Sequence, residues 1–212
     1  MKKIISIILI LVIAGGAVWY WKRHGKTPAV PTTTTFRSEN LGITFTYPKI
    51  LSASTTAQEV TLHHEVAFEH HDFCDFKGEA TTTIPTLTDL NVNFHVSEKN
   101  IVDTMKAESP YIPEENFVNG EVVPSPGFID PYSEGDLKGF SIFEGAEGCG
   151  HTVYYIALSN TKTLVVKRDW ITIFSGSIDV ENKVAAEAVP GVINKEKETG
   201  FFDAIMASLK IQ

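Results

Sequence analysis

Apolar residues follow three different periods along this 212-residue chain, and each period predicts a different element. Residues 4–21 are almost unbroken apolar, with Lys2 and Lys3 before them and Lys22, Arg23 and Lys26 behind. Eighteen residues at about 1.5 Å each span roughly 27 Å, close to the ~30 Å of a hydrocarbon core, and Trp19, Tyr20 and Trp21 fall where an interfacial aromatic belt belongs. This predicts a transmembrane helix. A cleaved secretory signal is the alternative, because Ala14, Gly15, Gly16 and Ala17 supply small residues after a shorter apolar stretch. Hydrophobicity resumes through residues 18–21 before the charges begin, which favours retention. The only cysteines are Cys74 and Cys149, so a lipid-modified N-terminal cysteine is excluded.

Alternation at period two, rich in β-branched and aromatic residues, predicts strands at 43–47, 59–62, 66–69, 92–96, 140–143, 153–158 and 163–167. Ser159, Asn160 and Thr161 make a connection of hairpin length between the last two, and Leu164, Val165 and Val166 suit a central strand. The helical period appears at 98–108, with Ser97 as the N-cap and Pro110 as the stop. It appears again at 200–209, where Phe201, Phe202, Ile205, Met206 and Leu209 form one stripe. A weaker helix is predicted at 180–188. The proline-rich stretch 110–136 reads as loop with one helical turn at 114–118. The fold class expected from these elements is α+β, an antiparallel β-sheet flanked by helices behind the N-terminal transmembrane helix.

Charge then narrows the partners. The whole chain carries a net charge of −8, and its first 26 residues contribute five basic groups and no acid, so the remainder stands at −13. Binding to nucleic acid or anionic headgroups is driven largely by neutralising phosphate, so neither suits such a domain. The Lys167-Arg168 pair reads as a solvated strand end. Residues 27–35, uncharged and rich in Pro and Thr, cannot bury a core and read as an extended linker. The expected organisation is an anchor at 1–26, a linker at 27–35 and one extracytoplasmic domain at 36–212. The expected location is the cell membrane, single-pass, with the C-terminal domain outside.

Cys74 and Cys149 both sit among polar residues and glycines, not inside apolar runs. In an exported domain they predict one disulfide, closing a long loop and stabilising the fold by about 4 kcal/mol on the chain-entropy account. The stretch 144–150 has the glycine density of a phosphate loop but precedes a strand, whereas phosphate cradles open a helix. It is read as a tight turn presenting Cys149 to Cys74.

The opening residues Leu41, Gly42, Ile43, Thr44, Phe45, Thr46, Tyr47 and Pro48, together with the closing stretch 202–211, resemble the two ends of a PsbP-like domain. Blocks at 70–75, 137–140, 147–150 and 162–168 are similar to those of single-pass bacterial proteins with the same anchor-and-linker plan. The resemblance implies an α/β/α sandwich that ends in a docked helix and a short terminal strand. It carries no catalytic residues and implies an accessory or binding role at a membrane.

The best candidates for metal chemistry are His63, His64, His70 and His71, with Glu65, Asp72 and Cys74 nearby, ligands that zinc or copper would accept. Strand alternation puts only one member of each His pair on a given face, and the pairs lie roughly 20 to 26 Å apart along an extended chain. Exposed or hydrogen-bonded histidines are therefore expected, with metal binding as the alternative. His95 and His151 read as structural. Asp130, Glu134 and Asp136 read as a solvated acidic turn, since their spacing lacks the alternating ligands of a calcium loop. No nucleophile elbow or zinc-protease motif occurs, and a Cys149-His151 nucleophile would lose its thiolate to the disulfide. The sequence thus predicts a non-catalytic binding or envelope accessory module with no cofactor. Its partners would be the membrane, another envelope protein or a small ligand. The alternative is a metal-binding or redox domain using residues 63–74, with a hydrolase third.

Overall fold

The computed structural model describes residues 32–75, 77, 81–175 and 180–212. The predicted anchor and residues 27–31 of the linker lie outside them. Among the described residues no helix is long and apolar enough to cross a membrane.

A seven-stranded antiparallel sheet forms the centre, in the order β3-β4-β5-β11-β10-β9-β8. Its strands are β3 (Ser52–Thr55), β4 (Glu59–His70), β5 (Ile84–Ser97), β8 (Ile129–Glu134), β9 (Leu137–Ala146), β10 (Cys149–Ser159) and β11 (Lys162–Asp169). A second sheet, in the order β1-β2-β12, joins β1 (Thr33–Ser38), β2 (Ile43–Pro48) and β12 (Lys210–Ile211). A hairpin of β6 (Phe117–Val118) and β7 (Glu121–Val122) stands apart. The helices are α1 (Ile101–Glu108), α2 (Val180–Glu187) and α3 (Lys195–Ser208). The fold is α+β with an antiparallel sheet, as the strand patterning predicts. β12 follows α3 and pairs antiparallel with β2.

Both faces of the central sheet are covered because its middle strands alternate apolar residues on both sides. Leu164 and Val166 of β11 point into one core with Leu90, Val92 and Phe94 of β5, closed over by Phe202, Ile205 and Met206 of α3. Val165, between them, points the other way, into a core with Val153, Tyr155, Ile142 and Met105 of α1. The small sheet is tied to the first core by a stack in which Phe36 lies 5.0 Å from Phe45 and Phe45 4.8 Å from Phe94, ring centre to ring centre. A third cluster, with Val66 and Leu87 under Ile173, Phe174 and Ala186, closes the far end of β4 and β5.

Several boundaries differ from expectation, each for a local reason. The predicted strands 59–62 and 66–69 are one strand, β4, interrupted by a bulge: His64 pairs with Leu90 and Glu65 with Thr88, leaving Asp89 unopposed. β5 runs on to Ser97, which pairs with Thr163, so Ser97 cannot cap α1. Asn100 does so instead, its Oδ1 accepting from Asp103 N at 2.9 Å. α3 begins five residues before Gly200, where Asn194 accepts from Lys197 N at 3.1 Å. Thr33, Thr34 and Thr35 belong to β1 and not to a free linker. Most of 110–136 is loop, but 129–134 is an edge strand whose proline, Pro131, is tolerated at the sheet margin.

The β9-β10 hairpin turns on Glu147 and Gly148, with φ of 54° and 85°. Before and after it the strands come unusually close: a Cβ on Gly150 would lie 2.1 Å from the Glu144 carbonyl oxygen, and one on Gly145 2.1 Å from that of Cys149. Gly150→Ala is therefore expected to lower stability by about 2–4 kcal/mol, through backbone displacement and positive-φ strain together. Urea unfolding of the variant against the parent measures this, and a change below about 0.5 kcal/mol would show that the close approach is not required.

Candidate functional site

β10 and β11 run out of the core at the end where the disulfide lies, and there the α3 layer stops. Cys74 and Cys149 are joined, with their Cα atoms 5.8 Å apart, as their polar context predicts. Arg168, two residues beyond the last apolar position of β11, faces α3. Its Nε donates to Glu198 Oε1 at 2.8 Å, and one terminal nitrogen donates to Glu198 Oε2 at 2.5 Å and to Thr199 Oγ1 at 3.1 Å. The guanidinium also lies 4.5 Å from the centre of the Phe202 ring. Sequence patterning read Lys167-Arg168 as a solvated pair. Lys167 is exposed, but Arg168 is half-buried and holds a buried carboxylate. The difference arises because period two puts Arg168 on the face of Leu164 and Val166.

The chain then crosses the sheet end. Trp170 N donates to Gly150 O at 2.9 Å, and the indole Nε1 donates to Thr152 Oγ1, also at 2.9 Å. Phe143 packs against the Trp170 ring and is itself 52% exposed, which is unusual for so large an apolar side chain. Phe143, Trp170, Ile171 and Phe174 form the apolar wall of a cleft of about 440 Å³, whose polar side is made by Arg168, Asp169, Lys195 and Glu198. Asp169 is held by Asn91, whose Nδ2 donates to its Oδ2 at 2.6 Å. The Lys195 side chain makes no ion pair or hydrogen bond with any described residue and stands exposed at the rim. An aromatic wall with a few fixed polar groups and one uncommitted cation is the composition of a ligand cleft.

The four histidines named as metal candidates are not brought together. His64 Nδ1 lies 2.6 Å from Oδ1 of Asp89, a fully buried carboxylate whose Oδ2 accepts from Ile193 N at 2.7 Å. His63 lies 3.5 Å from Glu65. His70 stacks on Phe73 at 4.6 Å, its ring nitrogens 2.5 Å from the His71 carbonyl oxygen and 3.1 Å from that of Thr86. His71 is exposed. Among the described residues no place gathers three or more His, Cys, Asp or Glu side chains in a metal-binding arrangement.

On the opposite face a second polar cluster escaped the sequence reading. Glu144 Oε1 accepts from Ser109 Oγ at 2.7 Å and from the Tyr111 hydroxyl, while Oε2 lies 2.7 Å from His151 Nε2. Ser109 spends its proton on Glu144 and so accepts from the Tyr155 hydroxyl at 2.8 Å. The carboxylate stands between Ser109 and His151, so this is no nucleophile triad, in which the imidazole must touch the hydroxyl. It locks the segment after α1 onto the sheet. Burial alone would raise the Glu144 pKa, but the hydrogen bonds from Tyr111, Ser109 and His151 outweigh it and hold the carboxyl below its ordinary value. Burial also pushes the phenols of Tyr111 and Tyr155 up, so both stay protonated.

A depressed carboxyl stabilises the fold above the pKa that Glu has when unfolded, about 4.3, and that contribution is lost as pH falls through the lower folded value. Melting temperature is therefore expected to drop below about pH 4. Glu144→Gln should be less stable at pH 7 and lose less than the parent on acidification. Equal acid slopes for the two proteins would show that Glu144 does not carry this dependence.

No protein-family model and no curated protein matches the chain. Among solved structures the chain is similar to one from Bacteroides thetaiotaomicron, determined at 1.50 Å resolution, with 8% sequence identity and a TM-score of 0.41. The match covers 84% of this chain and 48% of the other, so the chain spans about half the length of that solved relative.

Proposed function

We propose that the protein is a membrane-tethered, extracytoplasmic binding module of PsbP-like plan, non-catalytic, whose ligand site is the aromatic cleft at the end of β9, β10 and β11. The observation that carries this reading is the exposed Phe143 ring set beside Trp170 over a cleft that also holds the uncommitted Lys195. The other charged groups in the cleft are already engaged: Arg168 and Glu198 hold each other, and Asp169 is bonded to Asn91.

Placement outside the cytoplasm is supported by the disulfide, a crosslink that forms and persists in oxidising compartments. The strongly acidic charge downstream of residue 26 argues against nucleic acid as the partner. The tether rests on the apolar run 4–21 with its basic flanks. The metal-binding alternative has less to support it, because His64 and His70 are engaged with Asp89 and with backbone carbonyls.

Thermal shift of the full chain in detergent, against a panel of flat apolar anions and saccharides, tests the site. A ligand at one hundred times its Kd stabilises by about 2.7 kcal/mol, or about 5–10 °C for a domain of this size. Phe143→Ala and Trp170→Ala are expected to remove that shift. A panel without any shift, or a shift untouched by both substitutions, would refute the assignment of the cleft. C-terminal reporters active only outside the cytoplasm are expected, and cytoplasmic activity would refute the topology.

A further inference from the structure

We propose that the Cys74–Cys149 disulfide is a redox latch on this cleft: reduction by a dithiol releases the wall carried by Trp170, Ile171 and Thr172, so that the cleft is fully formed only in the oxidised protein. The proposal rests on the cleft being the ligand site, and it adds how that site is regulated. Thr172 Oγ1 lies 3.3 Å from Cys74 Sγ and 3.6 Å from Cys149 Sγ, so the wall is seated directly against both sulfurs. Gly148, the residue before Cys149, lines the cleft itself. On the other side of the wall is a second pocket of about 220 Å³, lined by Cys74 and His70, and it shares Trp170 and Ile171 with the cleft. One stretch of chain therefore divides two cavities, with the disulfide at its foot.

The remaining ties hold the wall at its two ends: Phe143 packs on Trp170, and Ile173 and Phe174 are buried in the third cluster, while Thr172 between them rests on the sulfurs. Trp170 is bonded to Gly150 and Thr152 of the neighbouring strand, and the turn after it closes on itself through Phe174 N to Ile171 O and Ser175 N to Thr172 O, each at 2.9 Å. Across the bridge, Cys74 sits in a turn closed by Asp72 Oδ1, which accepts from Cys74 N at 2.8 Å, and braced by Phe73 on His70. The disulfide is the covalent link between that turn and the β9-β10 hairpin, and the wall rests on both sulfurs through Thr172.

The two sulfurs are not equivalent: Cys74 is exposed and Cys149 half-buried. An incoming thiolate attacks Cys74 Sγ, forming a mixed disulfide as the Cys74–Cys149 bond breaks and Cys149 leaves as a thiolate beside the Thr172 hydroxyl. The second thiol of the dithiol then attacks the mixed disulfide and frees Cys74. The protein gains two electrons and two protons, and the dithiol becomes a disulfide.

The test uses the full chain in detergent with Trp19→Phe and Trp21→Phe, which leaves Trp170 as the sole indole of the three in the chain. Acrylamide quenching, free thiols and far-UV circular dichroism are measured before and after dithiothreitol. The expected result is two new thiols, an unchanged dichroism spectrum and a quenching constant at least doubled. Cys74→Ser with Cys149→Ser should give the reduced value with or without dithiothreitol, and limited glutathione should leave its adduct on Cys74. Two thiols without a change in quenching would overturn the latch. Loss of the dichroism signal would overturn it too, by showing that the bridge holds the whole domain, and an adduct mainly on Cys149 would overturn the order of attack. None of these readouts involves a ligand, so a silent thermal-shift panel with intact quenching behaviour would count against the binding reading alone.

Discussion

Two-sided burial of β11 is the constraint from which the rest of the architecture follows. Thr163, Leu164, Val165 and Val166 are all buried, so this strand can be left open to water on neither face. α3 and the small sheet answer one face, and α1 with the segment after it answers the other. Where the apolar run ends, at Lys167 and Arg168, the need for cover ends as well. The cleft lies at that boundary, roofed on one side by the first turn of α3 and open on the other. A half-buried guanidinium at the margin would be costly alone, and its bidentate contact with Glu198 both neutralises it and sets where the first turn of α3 sits.

The same logic explains the buried Asp89 and the half-buried Glu144. Asp89 at the bulge joins His64 of the neighbouring strand to the backbone of Ile193 just before α3, and Glu144 joins β9 to the loop after α1. Each ties a covering element to the sheet at one register only, because a slip of one residue would separate a wholly or partly buried carboxylate from its partners. Among the described residues no buried side-chain nitrogen or oxygen lacks a partner. Apolar burial supplies most of the drive to cover the sheet, and these three carboxylates specify where the covers go.

This division decides what could be read from the chain alone. Strands β2, β10 and β11 and the stripe of α3 were legible because they follow a period, and a period survives in one dimension. Asp89 was illegible because a bulge breaks the period it would be recognised by. β8 was hidden by Pro131, which reads as loop until the strand is known to lie on an edge. Arg168 was misread because a basic pair after an apolar run looks solvated unless its facing helix is known. The cleft was missed altogether: Phe143, Trp170 and Lys195 are separated by more than twenty residues each and share no motif. The histidines drew attention through their density, yet alternation along β4 had already predicted that they would point apart, and in the structure they serve different partners.

The corner held by Cys74 and Cys149 shows what replaces a core when there is little to bury. Among the described residues next to Cys74, Phe73 is the aromatic one, half-buried, stacked on His70 and packed against the third cluster. A single half-buried ring cannot alone offset the conformational entropy of ordering a turn. A covalent bridge can, since it restricts the unfolded chain whatever the local composition. It also needs the partner hairpin to present its sulfur, and the paired glycines Gly145 and Gly150 allow the close strand approach that does so. The apolar core of the domain forms by the same physics in any compartment, whereas the order of this corner, and of the aromatic wall resting on it, depends on the redox state of the surroundings.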